Sequence, residues 1–160
     1  MRRRHALTTL FASLLALSLA AAAESGPDAE TAVKKVLGDY KSALERLDLT
    51  GVDQLFAEDN EVVENGKVEG TYADYLAHHI GPELGHFRSF KFSDYKVTVR
   101  VHGDMAWATE TFRYTITLKE DGKVIERQAV GSSVLRKTGE AWKIVSMHGS
   151  SRAPKPPTKT

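Results

Sequence analysis

Gly103-Asp104-Met105-Ala106-Trp107-Ala108-Thr109-Glu110-Thr111-Phe112-Arg113-Tyr114-Thr115-Ile116-Thr117-Leu118 is the stretch on which the fold turns. After the Gly-Asp turn, Ala106, Ala108, Phe112, Tyr114, Ile116 and Leu118 take alternate positions, with Met105, Trp107, Thr109, Thr111, Arg113, Thr115 and Thr117 between them. A period of two is that of a β-strand with one covered face. Glu110 is the misfit, because it shares the phase of the apolar residues. Burying an unpaired carboxylate costs several kcal/mol, so two readings follow. In one, Glu110 sits at a rim and pairs with Arg127 or Arg136 of the next strand. In the other it faces a cavity, where desolvation raises its pKa and suits it to proton transfer near neutral pH.

Downstream, Glu120-Asp121-Gly122 and Thr138-Gly139-Glu140 are turn signals that bound a strand from Lys123 to Arg136 and open another from Trp142 to Ser150. Trp142, Ile144, Ser146, His148 and Ser150 share one phase of that last strand. The spacing therefore predicts that His148 points inward, either as a hydrogen-bonded core histidine or as an acid/base partner of Glu110. Upstream, Phe90 and Phe92 share one phase whereas Tyr95, Val97, Val99 and Val101 share the other, which predicts a bulge at Ser93-Asp94.

Before Phe90 the periodicity is helical. Ala29, Val33, Val36, Leu37, Tyr40, Ala43, Leu44 and Leu47 recur at three- and four-residue spacing behind a Ser25-Gly26-Pro27-Asp28 start. Thr50 with Asp53 opens a short helix carrying Val52, Leu55 and Phe56, and Asn65-Gly66 joins Glu61–Glu64 to Lys67–Glu69 as a hairpin. Thr71 with Asp74 starts a third helix, which Gly81-Pro82 is expected to disturb. On it, Tyr72, Tyr75, Leu76, His79 and Ile80 form one stripe. His79 is thus a second inward histidine, or a polar-tipped residue packed at a cavity mouth with Glu83 beside it.

Helices followed by a meander of long strands define an α+β fold. The expected form is a cone-like curved antiparallel sheet wrapped around about three N-terminal helices, with an interior pocket. His79, Glu110 and His148 include metal-ligating types, but they are scattered over three elements without a local motif, and no metal is expected. Gly-rich phosphate loops, a G-x-S-x-G elbow and a dinucleotide fingerprint are all missing, so no cofactor is expected either.

The ends read differently from the middle. Met1-Arg2-Arg3-Arg4-His5 precedes Ala6–Ala23, where 14 of 18 residues are apolar and the last three are alanines. These features describe a secretory signal peptide over residues 1–23, so the destination is periplasmic or secreted. Residues 24–151 form the domain, and residues 152–160, with Pro154, Pro156 and Pro157, form a flexible tail. Without the three leader arginines, 22 basic and 21 acidic residues become 19 and 21; without the three basic residues of the tail, the body stands at 16 against 21. Such a body lacks the cationic patch of a nucleic-acid binder, and no membrane contact is expected once the leader is cleaved. The absence of cysteine excludes disulfides, thiol catalysis, cysteine-ligated metals and a lipobox anchor.

Leu55-Phe56-Ala57-Glu58-Asp59, Gly103-Asp104-Met105-Ala106 and above all Gly139-x-x-Trp142-Lys143-Ile144-x-x-x-His148-x-Ser150 resemble the nuclear transport factor 2-like superfamily. The resemblance is to its SnoaL-like branch, which is polyketide cyclase- and ketosteroid isomerase-like, and it extends over about residues 29 to 151. The last strand also resembles the association domain of calcium/calmodulin-dependent protein kinase II, although Ser146 stands where that pattern has histidine. The resemblance implies a cone-like barrel, a pocket between helices and sheet, and a homodimer through the outer sheet face. It also implies a choice between cofactor-free isomerases, dehydratases, cyclases or epoxide hydrolases and non-catalytic ligand-binding or oligomerising modules. In the first case Glu110, His148 and His79 are the catalytic candidates, and Tyr72, Tyr75, Tyr114, Trp142 and Ser150 contact a small-molecule ligand.

Overall fold

The computed structural model describes residues 27–155. Its first element is α1 (Pro27–Arg46), and the expected stripe is the face that packs inward. Ala29, Val33, Leu37, Ala43 and Leu44 are buried, with Val36, Tyr40 and Leu47 packed against them. Leu47 closes the helix in the left-handed region, at φ 56°. Leu47 N and Asp48 N donate back to Leu44 O and Ala43 O at 3.0 and 3.1 Å, which satisfies carbonyls that a helix end leaves open.

The two Thr-x-x-Asp signals part company. Thr71 and Asp74 form both halves of a capping box, with Thr71 N donating to Asp74 Oδ2 at 2.9 Å and Asp74 N to Thr71 Oγ1 at 3.2 Å. Thr50 instead donates its N–H to Asp48 Oδ1 at 3.0 Å, and only one 3-10 turn, Val52–Leu55, follows. After Thr71 come α2 (Tyr72–Tyr75), a π-helical turn (Leu76–Ile80) and α3 (Gly81–His86). Gly81-Pro82 therefore does not end the expected third helix. The wider π turn shifts the bonding pattern, and Pro82 falls in the first turn of α3, where its missing N–H costs nothing. Glycine is required before it, since a Cβ on Gly81 would stand 2.3 Å from Leu76 O.

β1 (Phe56–Glu64), β2 (Lys67–Gly70), β3 (Phe87–His102), β4 (Met105–Leu118), β5 (Val124–Thr138) and β6 (Ala141–Arg152) form one sheet in the order β2-β1-β6-β5-β4-β3. It is curved and does not close. The β1–β2 hairpin turns on Asn65 and Gly66 at φ 48° and 86°, as a type I′ turn requires. One pairing departs from the antiparallel expectation, for β6 lies parallel to β1. The chain returns from the far end of the meander to insert there, a long-range pairing that local periodicity does not encode.

Two irregularities decide which residues face inward. The β3–β4 register shifts between Ser93 and Lys96, with Asp94 at φ 53°, at the expected bulge. The β5–β6 ladder carries another: Val134 pairs with Ser146 and Leu135 with Ile144, so Val145 is an extra residue. Beyond it the phase of β6 reverses. Met147 packs on the core, whereas His148 and Ser150 are exposed opposite Ser132 and Val130. The expected inward direction of His148 and Ser150 is thus corrected: both side chains belong to the outer face.

Among the described residues no helix is long and apolar enough to cross a membrane. The expected signal peptide, residues 1–23, and residues 156–160 of the tail expected over 152–160 lie outside the described residues, whereas Arg152, at the start of that tail, belongs to β6.

Candidate active site

Between α1, the α2–α3 run and the inner sheet face lies a cavity of about 150 Å³. That is the scale of an apolar cavity that takes up benzene. Leu37, Tyr40 and Leu44 of α1, Phe90 and Phe92 of β3, and Phe112, Tyr114 and Ile116 of β4 supply its aromatic and aliphatic wall. Along β1, β5 and β6 runs of consecutive residues reach it, and strand alternation means that every second one does so through its backbone. His148 and Ser150 border the cavity in that way.

Glu110 enters from β4. Opposite it on β5 is Gly131, where a side chain would begin 3.4 Å from Glu110 Oε2, so the glycine leaves the carboxylate uncovered. Among the described residues its one hydrogen bond comes from Tyr95, whose hydroxyl donates to Oε1 at 2.5 Å from the bulged part of β3, and no arginine pairs with it. Arg136 binds Asp59 through two bonds of 2.6 and 3.1 Å, and Arg127 donates to the carbonyl of Glu126 at 3.1 Å. Burial pushes the Glu110 pKa up, the Tyr95 bond opposes this in part, and the net direction is upward. Burial and the neighbouring Glu110 raise the Tyr95 pKa as well, keeping its proton on the hydroxyl.

A second carboxylate, Glu64 of β1, lines the cavity near its mouth. It accepts the Tyr75 hydroxyl at 2.6 Å. Behind it the π turn brings in His79, with Nδ1 3.0 Å from Glu69 Oε1 and Nε2 3.3 Å from Glu83 Oε1 and 3.9 Å from Glu64 Oε2. Burial works against charge on this imidazole. The hydrogen bond to Glu69 and the charges of Glu64 and Glu83 outweigh it and raise the His79 pKa. His79 is therefore not in the cavity wall, although Glu64 and Glu83, which it touches, are.

The other expected contacts divide cleanly. Tyr75 and Tyr114 line the cavity, with the Tyr114 hydroxyl donating to Ser151 Oγ at 3.1 Å. Tyr72 and Trp142 are buried outside the lining, and Tyr72 stacks on Phe56 at 4.1 Å. The Tyr72 hydroxyl and Trp142 Nε1 lack hydrogen-bond partners among the described residues, and both rings serve the core. His79, Glu110 and His148 lie respectively behind the mouth, inside the cavity and on the outer face, so they do not converge. Tyr40, Glu64 and Tyr95 take part in the site without standing out in the sequence as functional residues. The available signals were a polar tip on the α1 stripe, a carboxylate flanking the Asn-Gly turn, and a tyrosine in phase with Val97 and Val99.

The profile of the SnoaL-like domain family matches residues 33–154. The chain belongs to the SnoaL-like domain family. Among solved structures, a nuclear transport factor 2-like superfamily protein from Salmonella enterica serovar Typhimurium is 19% identical, with a TM-score of 0.71, over 83% of this chain and 97% of that one. A ketosteroid isomerase-like protein from Erwinia carotovora atroseptica is also 19% identical, with a TM-score of 0.69, over 81% of this chain and all of that one (100%). A candidate calcium/calmodulin dependent protein kinase II association domain from Xanthomonas campestris is 22% identical, with a TM-score of 0.62, over 75% and 85% of the two chains. Others of this fold are named as candidate dehydratases and as hexachlorocyclohexane dehydrochlorinases. At these identities the likeness is one of fold. No curated protein matches the chain by sequence.

Proposed function

We propose that this SnoaL-like domain is an enzyme that performs cofactor-free acid/base chemistry, of the isomerase, dehydratase or cyclase type, on a molecule about the size of a single ring. The observation that carries this reading is Glu110: a half-buried carboxylate with raised pKa, bound among the described residues by a tyrosine hydroxyl alone and uncovered toward an apolar cavity. The two arginines of β5 that could have covered it are engaged elsewhere, Arg127 with the carbonyl of Glu126 and Arg136 with Asp59. Glu110 is the general base, the Tyr114 and Tyr75 hydroxyls, whose own protons go to Ser151 and Glu64, accept a hydrogen bond from the substrate, and His79 is a proton reservoir beside the cavity. His148, on the outer face, has no part in the reaction.

The test uses a ligand found by thermal shift, since binding to the native state raises apparent stability. Incubated with that ligand in deuterium oxide, the protein should catalyse exchange of an acidic C–H, and Glu110→Gln should not. Undiminished exchange in the variant rules Glu110 out as the base.

We also infer export directed by residues 1–23 and pairing of two copies through the outer sheet face, where Trp107 and Val130 are 46% and 47% exposed. Recovery of the expressed chain uncleaved in the cytoplasm would contradict the first. A monomer in sedimentation at micromolar concentration would contradict the second.

A further inference from the structure

We infer that the cavity selects a small ring bearing a basic nitrogen, held as an ammonium cation at Glu64, over neutral or anionic molecules of equal size. The inference rests on the cavity being the substrate site and adds the charge of what enters it.

Charge along the wall is one-sided. Glu64, Glu83 and Glu110 all line the cavity, and the one basic side chain beside them, Lys41, is bound by Glu45 at 2.8 Å and lies over the rings of Phe92 and Tyr95. Arg127 has the inward phase of β5 but turns back to a backbone carbonyl and is not part of the lining. An anion would therefore meet Glu64 and Glu110 in a largely apolar space, with the exposed Glu83 at its edge, and no free cation among the described lining residues.

Two further features can receive an N–H donor, and the second favours a charged one. Tyr40 presents a hydroxyl that makes no hydrogen bond among the described residues, close enough to Glu64 and Glu110 for their charges to act on it. Glu64 is incompletely used: Oε2 takes the Tyr75 hydroxyl, Oε1 takes only a long 3.4 Å bond from Asn65, and His79 at 3.9 Å is beyond direct hydrogen bonding. An ammonium placed there gains charge-assisted bonds, which are about twice as strong as neutral ones. The aromatic wall adds a cation–π attraction of roughly 0.5–2 kcal/mol. A neutral ring of the same shape gains neither.

Benzylammonium, benzyl alcohol and benzoate, alike in ring and size, are titrated calorimetrically into the full chain at neutral pH. Benzylammonium is expected to bind at least about tenfold tighter than benzyl alcohol, and benzoate not at all. Glu64→Gln should abolish that preference and leave benzyl alcohol binding unchanged, which also reports that the variant is folded. Equal or tighter binding of benzyl alcohol or benzoate, absence of benzylammonium binding at millimolar concentration, or a preference that survives in Glu64→Gln overturns the inference. The wild-type comparison stands even if the variant fails to fold. Glu110→Gln should lose exchange chemistry and keep the preference for the amine, so failure of the base assignment and failure of the charge assignment give different results.

Discussion

Glu110 and Glu64 are the same residue with the same partner, a tyrosine hydroxyl at 2.5 and 2.6 Å respectively, on two walls of one cavity. Their surroundings differ. Around Glu110 are Phe112, Gly131 and the apolar body of the cavity, so burial prevails and the pKa rises. Glu64 lies at the corner between the helical run and the β1–β2 hairpin, with His79, and through it Glu69 and Glu83, behind it. The same tyrosine bond thus sits in two settings: on the sheet wall burial raises the Glu110 pKa, and at the corner carboxylates raise the His79 pKa.

The largest test of this contrast is Glu110→Gln. Removing a positioned base should lower catalysed exchange by roughly 10²–10⁴-fold, and the fold should survive because the amide fills the same space. The pH dependence of stability has a definite sign. A carboxyl whose folded pKa is raised contributes its stability fully below the unfolded value of about 4.3 and loses it as pH rises through the folded pKa. Glutamine does not ionise. The variant should therefore match the wild type in acid and exceed it in Tm above the folded pKa of Glu110. A wild type that is the more stable protein in alkali would show that the carboxylate is compensated after all.

The corner can be broken without touching the wall. Gly81→Ala would press a methyl group to 2.3 Å from Leu76 O, a contact that only backbone movement relieves. Overpacking of this kind costs about 1–3 kcal/mol, and the displaced π turn should carry His79 away from Glu69. We expect a lower Tm and an NMR titration of His79 moved back toward the ordinary imidazole value, while exchange at Glu110 stays within a few-fold of wild type. Loss of Glu110 chemistry on the same scale would mean that the two walls are one coupled site.

The wall was more legible in the sequence than the corner. Glu110 stood out because it interrupts an apolar phase, and the bulge near Tyr95 was marked by Ser93-Asp94, polar residues at the point where alternation fails. The bulge in β6 had no such mark. Val145 sits among residues acceptable on either face, so the phase carried through it placed His148 and Ser150 inward, where the structure does not. The corner depends on a π turn, whose place Gly81-Pro82 marked but not its form, and on where the Asn65-Gly66 hairpin packs, which no local pattern encodes. Tyr72 and Trp142 share the stripe or phase of lining residues, but periodicity separates inside from outside, not cavity from core.

His79→Gln gives the smallest effect and the sharpest contrast. The His79 pKa is raised, since the bond to Glu69 and the charges of Glu64 and Glu83 outweigh burial. The stabilisation it supplies is full below the unfolded value of about 6.5 and is lost as pH rises through the folded pKa. Partly exposed ion pairs of this type contribute about 1 kcal/mol or less. The variant should therefore fall below the wild type in acid and rejoin it once His79 has lost its proton in the folded protein. Glu110→Gln behaves in the opposite way, coinciding in acid and diverging in alkali. Measured on one pH axis, the two difference curves separate a carboxylate that burial opposes from an imidazole that carboxylates support. If His79→Gln instead diverges in alkali, burial rather than the carboxylate network governs the corner, and the distinction between the two walls fails.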